Sequence, residues 1–130
     1  MSASVGIVLV SHSPQLAAGL RLLVREIGTD AVPVLIAAGT GDGRIGTSSD
    51  LVRAAIQAAD RGAGVLVLPD LGSAVLTTRS VLAERQRPDV VIVDAPFVEG
   101  AVAAVAAAAS GADLRATARS AEEARHVRKL

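Results

Sequence analysis

The sequence predicts an α/β fold in which a mostly parallel sheet of four strands carries helices on both faces. Short apolar runs alternate along the chain with longer segments of helical periodicity, which is the pattern of such folds. The first run, residues 5–10, is almost entirely β-branched or aliphatic, as is typical of a strand buried on both faces. No linker, repeat or disordered block divides the 130 residues, so we expect one domain over residues 1–130.

The first helix has the clearest boundaries. Ser13 is a good N-cap, Pro14 suits the first helical position and Gly28 is a natural C-cap, so we expect a helix over residues 14–27. Its large apolar side chains recur at helical spacing and predict the face that packs on the sheet. These side chains are Leu16, Leu20, Leu23 and Ile27.

The remaining elements follow from the same signals. Further strands are predicted over residues 32–37, 64–68 and 89–93, and further helices over about 50–60, 72–84, 97–109 and 114–128. A glycine-rich loop, residues 38–49, joins the second strand to the second helix. We expect a doubly wound sheet in the order 2-1-3-4, in which the winding direction reverses between the first and third strands.

Composition excludes several classes of function. The 13 basic and 13 acidic residues cancel, and aromatic residues make up 1%, which is unlike a nucleic-acid-binding surface. With no cysteine and only two histidines, we expect neither a disulfide framework nor a metal site. We expect no signal peptide, because the amino terminus lacks a basic segment followed by a cleavage site. The longest apolar run, residues 101–109, is too short to span a bilayer. We therefore expect a cytoplasmic protein with no membrane partner.

His12 is the strongest candidate for a catalytic residue. It lies at the carboxyl end of the first strand, the edge where open α/β sheets bind ligands. Asp70 ends the neighbouring third strand, and adjacent strands lie about 4.8 Å apart, so the two side chains can meet. A carboxylate on one ring nitrogen leaves the other nitrogen as a nucleophile toward a phosphoryl group. The backbone amides of Gly72 and Ser73, which open the third helix, are placed to receive an oxyanion.

Other polar motifs fit less well. Asp94 ends the fourth strand, about 10 Å from the first, and no G-x-S-x-G motif supports a serine triad. The segment GDGRIG, residues 41–46, matches the dinucleotide pattern but follows the second strand of a chain too small for a complete Rossmann fold. We expect this loop to bind no dinucleotide and to shape the crevice beside His12. The crevice residues are expected to be Ser11, Ser13, Gly39, Thr40, Gly46, Thr47, Gly72 and Ser73.

Several segments, taken in order, resemble a known family over residues 5–113. VLVSHS (8–13), AGT (38–40), IGTS (45–48), VLPDLGSA (67–74) and APFVEG (95–100) are similar to the phosphotransferase subunit of bacterial PEP-dependent dihydroxyacetone kinase. The resemblance implies the mannose-type enzyme IIA fold, usually in a homodimer. It also implies that His12 matches the histidine that is phosphorylated and that Asp70 matches the aspartate beside it.

The resemblance further implies two protein partners. The phosphocarrier HPr would be the phosphate donor, and the acceptor would be ADP held with magnesium on the nucleotide-binding kinase subunit. This chain itself would then need no cofactor. Residues 95–100 favour the dihydroxyacetone branch of the family over the mannose branch.

Two other functions remain open from the sequence. A mannose-type sugar-transport enzyme IIA would use the same histidine chemistry with a different acceptor. A non-enzymatic nucleotide-binding or regulatory module would use the glycine loop instead. Arg44 is either an electrostatic aid to the site or a solvated loop side chain, and we assign no function to the charged tail, residues 115–130.

Overall fold

The computed structural model describes residues 3–130, in which a four-stranded sheet is flanked by helices. The strands are β1 (Gly6–Ser11), β2 (Val34–Ala38), β3 (Val65–Pro69) and β4 (Val90–Ile92). The helices are α1 (Pro14–Gly28), α2 (Ser49–Ala59), α3 (Gly72–Glu84), α4 (Phe97–Ala109) and α5 (Leu114–Glu123), followed by a 3₁₀ turn, Ala124–His126. Within residues 3–130, no helix combines the length and the apolar character needed to cross a membrane.

The sheet has the strand order β2-β1-β3-β4, and its strand pairs are all parallel, which confirms the predicted topology. In the register, Val10 of β1 stands beside Ala37 of β2 on one side and Pro69 of β3 on the other. The carboxyl ends of these three strands therefore lie side by side. The winding direction changes between β1 and β3, so a crevice opens at their ends.

Each face of the sheet has its own apolar core, as expected for a sheet covered on both sides. Alternate residues of β1 point to opposite faces, so Ile7 and Leu9 join one core while Val8 and Val10 join the other. The first core contains buried residues of α1, α4 and α5, and the second contains buried residues of α2 and α3. The strand boundaries differ from the predicted ones by at most two residues.

The face that α1 buries includes the predicted Leu20 but otherwise differs from the predicted one. The fully or nearly buried residues are Ala17, Leu20, Val24 and Gly28, whereas Leu16, Leu23 and Ile27 are between 41% and 49% exposed. The last residue of α1 packs tightly on α4, because a Cβ atom on Gly28 would lie 2.5 Å from Cγ1 of Val105. Leu20 and Val24 join the same core as the buried residues of α4. Gly28 is accordingly the last helical residue, and Thr29 takes the cap position.

The C-terminal helix is shorter than the predicted 114–128. It ends at Glu123, and the 3₁₀ turn Ala124–His126 follows. Ala124 is the last buried residue, and Val127 is 71% exposed, so the chain leaves the apolar core after the 3₁₀ turn. The Arg125 side chain also donates hydrogen bonds to the carbonyls of Glu122 and Asp94, which stabilises the turn at this point.

Candidate active site

His12 is held at the carboxyl end of β1 by the start of α1. The Ser13 hydroxyl accepts a hydrogen bond from the amide of Leu16 at 3.2 Å and so caps the helix, and Pro14 is the first helical residue, as predicted. The chain between Ser11 and Pro14 therefore turns sharply from strand to helix. His12 occupies this turn, and its side chain is 20% exposed, so its ring is accessible from solvent.

Asp70 meets His12 because β1 and β3 are parallel neighbours. Val10 and Pro69 are register partners, and the Asp70 amide donates to the Val10 carbonyl at 2.9 Å. Asp70 therefore lies beside the end of β1, where Ser11 and His12 follow Val10. His12 Nδ1 lies 2.8 Å from Asp70 Oδ1. The Asp70 side chain is only 7% exposed, so its carboxylate is fixed beneath the ring. The predicted pairing of these two residues is therefore present in the structure.

The Asp70 carboxylate is surrounded by donors besides the ring. Oδ2 accepts from the Ser11 hydroxyl at 2.9 Å and from the His12 amide at 3.1 Å, and Oδ1 accepts from the Leu71 amide at 2.7 Å. Burial alone would raise the pKa of Asp70 and is the largest single influence on it. The hydrogen bonds from His12, Ser11 and Leu71 together outweigh burial, so the pKa of Asp70 lies below its ordinary value. Asp70 is consequently ionised at neutral pH.

This bonding predicts that Asp70 makes folding sensitive to acid. Because its pKa is lowered in the folded state, its charge stabilises the fold above the ordinary value of 3.8, and that stabilisation is lost as the pH falls through the lower folded value. We expect the difference in melting temperature between the wild type and Asp70→Asn to shrink as the pH is lowered. Thermal unfolding from about pH 5 to about pH 2.5, below the range in which histidine titrates, measures it. A difference that stays constant over this range would contradict the prediction.

The second ring nitrogen of His12 faces the start of α3. Its Nε2 is in hydrogen-bond contact with the hydroxyl of Ser73, the second residue of that helix. Because an ionised Asp70 can only accept, the neutral form of the ring carries its proton on Nδ1. In that form Nε2 holds a free electron pair, to which the Ser73 hydroxyl can donate. The nitrogen that is free to act as a nucleophile is therefore Nε2.

The amino terminus of α3 lies at the same place and has unused donors. The amides of Ala74 and Val75 donate to the Leu71 carbonyl, whereas those of Gly72 and Ser73 have no acceptor within the described part of the chain. No side chain caps this helix end. Free amides and the positive end of the helix dipole favour an anion, so the region around Nε2 suits a phosphoryl group.

The glycine loop is attached to the backbone beside His12. The amide of Gly39 donates to the Ser11 carbonyl at 3.1 Å, and the amide of Gly46 donates to the His12 carbonyl at 3.0 Å. Both glycines have positive φ, 69° and 147° respectively. A Cβ on Gly46 would also lie 2.6 Å from Cγ2 of Thr40, so a larger residue would strain the loop. The loop thus adjoins the crevice, as predicted.

The two threonines of the loop bond away from the His12 ring. The Thr40 hydroxyl donates to the carboxylate of Asp42, and the Thr47 hydroxyl lies 2.8 Å from that of Thr77 in α3. Arg44 pairs with the same Asp42 at 2.8 Å. The side chains of Thr40, Thr47 and Arg44 therefore have other partners, and none of them bonds to His12 in this structure.

Two polar residues lie apart from the crevice. Asp94 is almost fully exposed at the end of the fourth strand and pairs with Arg125 at 3.4 Å. His126 lies in the 3₁₀ turn that follows α5. Among the residues that the structure describes, no three His, Cys, Asp or Glu side chains cluster closely enough to hold a metal ion.

Sequence reasoning missed two groups that the structure adds. The backbone amide of Leu71 donates to the Asp70 carboxylate. A pattern of side chains in the sequence gives no signal for a backbone donor. The Thr77 hydroxyl contacts that of Thr47 in the glycine loop. Its spacing of four residues from Ser73 places Thr77 and Ser73 on one face of α3. That helical spacing was available in the sequence and could have identified Thr77.

Comparison with known proteins shows the family to which the chain belongs. A family model described as the PTS system fructose IIA component matches residues 6–118, which include His12 and Asp70. The phosphoryl donor subunit DhaM of PEP-dependent dihydroxyacetone kinase 1 from Listeria innocua is 40% identical over 108 residues, covering 82% of this chain and 83% of that protein. The phosphotransferase subunit DhaM of PTS-dependent dihydroxyacetone kinase from Lactococcus lactis is 37% identical over 111 residues, covering 85% and 88%.

A solved structure has the same fold as this chain. The crystal structure of the unknown-function protein EF1359 superimposes with a TM-score of 0.84 at 30% identity, covering 92% of this chain and 94% of that one. The family match and the sequence relatives each extend over most of the chain. The chain therefore belongs to the PTS fructose IIA component family, together with the phosphoryl donor subunits of PEP-dependent dihydroxyacetone kinase that it matches.

Proposed function

We propose that the chain is the phosphoryl-relay subunit of a PTS-dependent dihydroxyacetone kinase. His12 accepts a phosphoryl group from phosphorylated HPr and passes it to ADP bound on the nucleotide-binding kinase subunit. One observation carries the proposal: Asp70 holds Nδ1 of His12 while Nε2 contacts the hydroxyl of Ser73 at the start of α3. This is the arrangement that a transient phosphohistidine requires.

In the first step, the electron pair on Nε2 attacks the phosphorus of the donor. A nitrogen–phosphorus bond forms as the bond to the HPr donor breaks, and the leaving electron pair stays with HPr. The proton on Nδ1 remains in place, so the ring becomes positively charged. The Asp70 carboxylate, 2.8 Å from Nδ1, stabilises that charge.

In the second step, an oxygen of the terminal phosphate of ADP attacks the same phosphorus. The nitrogen–phosphorus bond breaks, its electron pair returns to Nε2, and ATP forms on the kinase subunit. The phosphoryl oxygens carry negative charge throughout, and the amides of Gly72 and Ser73 together with the Ser73 hydroxyl are positioned to bind them. The Ser73 hydroxyl turns from Nε2 to a phosphoryl oxygen when the phosphate arrives.

The rest of the proposal concerns partners and setting. The chain itself uses no cofactor, because ADP and magnesium are bound by the kinase subunit. We propose a homodimer that works in the cytoplasm, where its donor and acceptor proteins act. The relatives described as phosphoryl donor subunits of dihydroxyacetone kinase support the kinase branch over a mannose-type sugar-transport enzyme IIA.

The contacts of the glycine loop argue against the nucleotide-binding alternative. A dinucleotide site needs free backbone amides at its glycines to meet the phosphates. Here the last glycine of the pattern, Gly46, already donates its amide to the His12 carbonyl. Just before the pattern, the amides of Gly39 and Thr40 donate to the carbonyls of Ser11 and Arg44. These three amides support the backbone of the crevice, so they are not free to bind phosphates.

Transfer of labelled phosphate tests the acceptor. The protein is incubated with ³²P-labelled PEP, enzyme I and HPr, and then with the ADP-loaded kinase subunit, with free ADP, or with a mannose-type IIB domain. We expect the label to leave this chain rapidly only for the kinase subunit, and dihydroxyacetone phosphate to appear only when both kinase subunits are present. Rapid transfer to the IIB domain, with none to the kinase subunit, would assign the chain to sugar transport.

A further inference from the structure

We propose that Thr77 is a positioning residue for the relay, acting through Thr47 to hold the glycine loop against α3. The inference rests on the proposed phosphoryl transfer at His12. In this role, the hydrogen bond between the two threonine side chains holds the Ser73 side chain in a fixed position relative to the backbone of His12.

His12 is supported from two parts of the chain that are distant in sequence. On one side, the amides of Gly39 and Gly46 tie the glycine loop to the end of β1 through the carbonyls of Ser11 and His12. On the other side, α3 presents Ser73 to Nε2. The relative position of these two supports decides whether a phosphoryl group on Nε2 can meet its donors in α3.

The hydroxyls of Thr47 and Thr77 connect the two supports directly. Their oxygen atoms lie 2.8 Å apart in a partly buried contact. Within residues 3–130, this is the single side-chain hydrogen bond between the loop and α3. Thr47 follows Gly46 in the loop, and Thr77 lies one helical turn beyond Ser73. The bond therefore closes a ring that runs from His12 through the loop to α3 and back to the His12 imidazole.

The next residue of the same helix shows that Thr77 is not bonded in the usual local way. A helical threonine commonly donates its hydroxyl to the carbonyl four residues earlier. Thr78 does so, with its hydroxyl 2.8 Å from the Ala74 carbonyl. Thr77 instead uses its hydroxyl to reach a separate segment of the chain. Thr78 is thus a natural internal control, with the same residue type and helix but no link to the loop.

Loss of this link is expected to act on the rate of transfer. Phosphoryl transfer depends on placing the nucleophile and the charge-stabilising donors accurately, and small displacements reduce rates strongly. Because the Thr77 hydroxyl bonds to Thr47 and not to a partner, the change should appear in the maximal rate. The donor concentration that gives half of that rate should be unchanged.

A double-mutant cycle tests the coupling. The variants are Thr47→Val, Thr77→Val, the two combined, Thr77→Ser and the control Thr78→Val, each measured by rapid-quench phosphate uptake from phosphorylated HPr. We expect either valine variant to be slower by about tenfold, and the combined variant to be no slower than either alone. Thr77→Ser and Thr78→Val should match the wild type. Additive losses of about a hundredfold in the combined variant would overturn the inference.

A second measurement needs no phosphate donor. Diethyl pyrocarbonate modifies accessible imidazole nitrogens, and mass spectrometry separates His12 from the exposed His126, which serves as the internal reference. We expect His12 to react faster in Thr77→Val and Thr47→Val, because Ser73 no longer covers Nε2 steadily. Unchanged reactivity of His12 in both variants would overturn the role of Thr77. If the wild type takes up no phosphate from HPr, the relay itself is contradicted, and the reactivity of His12 still decides the role of Thr77.

Discussion

A His12→Ala variant should take up no phosphate from phosphorylated HPr, while the wild type becomes labelled at one site per chain. The loss should be complete because the variant lacks the only imidazole that the structure places against both Asp70 and the start of α3. The label on the wild type should be lost in acid and kept in alkali, as a phosphoramidate requires. Autoradiography after brief incubation with labelled PEP, enzyme I and HPr measures it.

The matched control for this variant is His126→Ala. It removes the other histidine of the chain, which is exposed in the turn after α5. We expect it to be labelled at the wild-type rate. Circular dichroism should show that both variants are folded, since neither histidine belongs to the apolar cores. Labelling of His12→Ala equal to that of the wild type would rule out His12 as the phosphate carrier.

Replacing Asp70 by asparagine should slow phosphate uptake by about 10²–10⁴. The amide has nearly the same size as the carboxylate but lacks its charge, so it cannot stabilise the positive ring that forms during transfer. The NH2 group of its side-chain amide is a donor. It would face Ser11, His12 or Leu71, which now donate to the carboxylate. The ring of His12 then loses its fixed tautomer as well as its counter-charge. Single-turnover uptake from phosphorylated HPr is the measurement.

Asp94→Asn is the control for Asp70→Asn. Asp94 follows the next strand of the sheet, is almost fully exposed and pairs with Arg125 away from the crevice. We expect wild-type uptake in this variant. Nitrogen NMR of the phosphorylated wild type should place phosphate on Nε2, because Nδ1 is engaged by Asp70. Phosphate on Nδ1, or equal rates in the two aspartate variants, would contradict the role given to Asp70.

Much of this site could be predicted from the sequence because its parts are recorded in local patterns. The buried run of β1, the Ser13 cap and Pro14 place His12 at the end of a strand. The topology rule for doubly wound sheets then brings the end of β3, and with it Asp70, to the same edge. The first step uses short-range sequence signals, and the second uses a general rule about strand order. Neither step requires knowledge of how side chains pack.

The sequence by itself thus determined the fold class, the order of the strands and the pairing of His12 with Asp70. Only the tertiary structure decided which face of α1 is buried, because that depends on how the helix packs against the sheet and α4, which Gly28 approaches closely at Val105. It alone also decided how the glycine loop is held, through amide-to-carbonyl bonds and the Thr47–Thr77 contact. Contacts of this kind join segments far apart in the chain, and a backbone amide has no side chain that a sequence pattern can reveal.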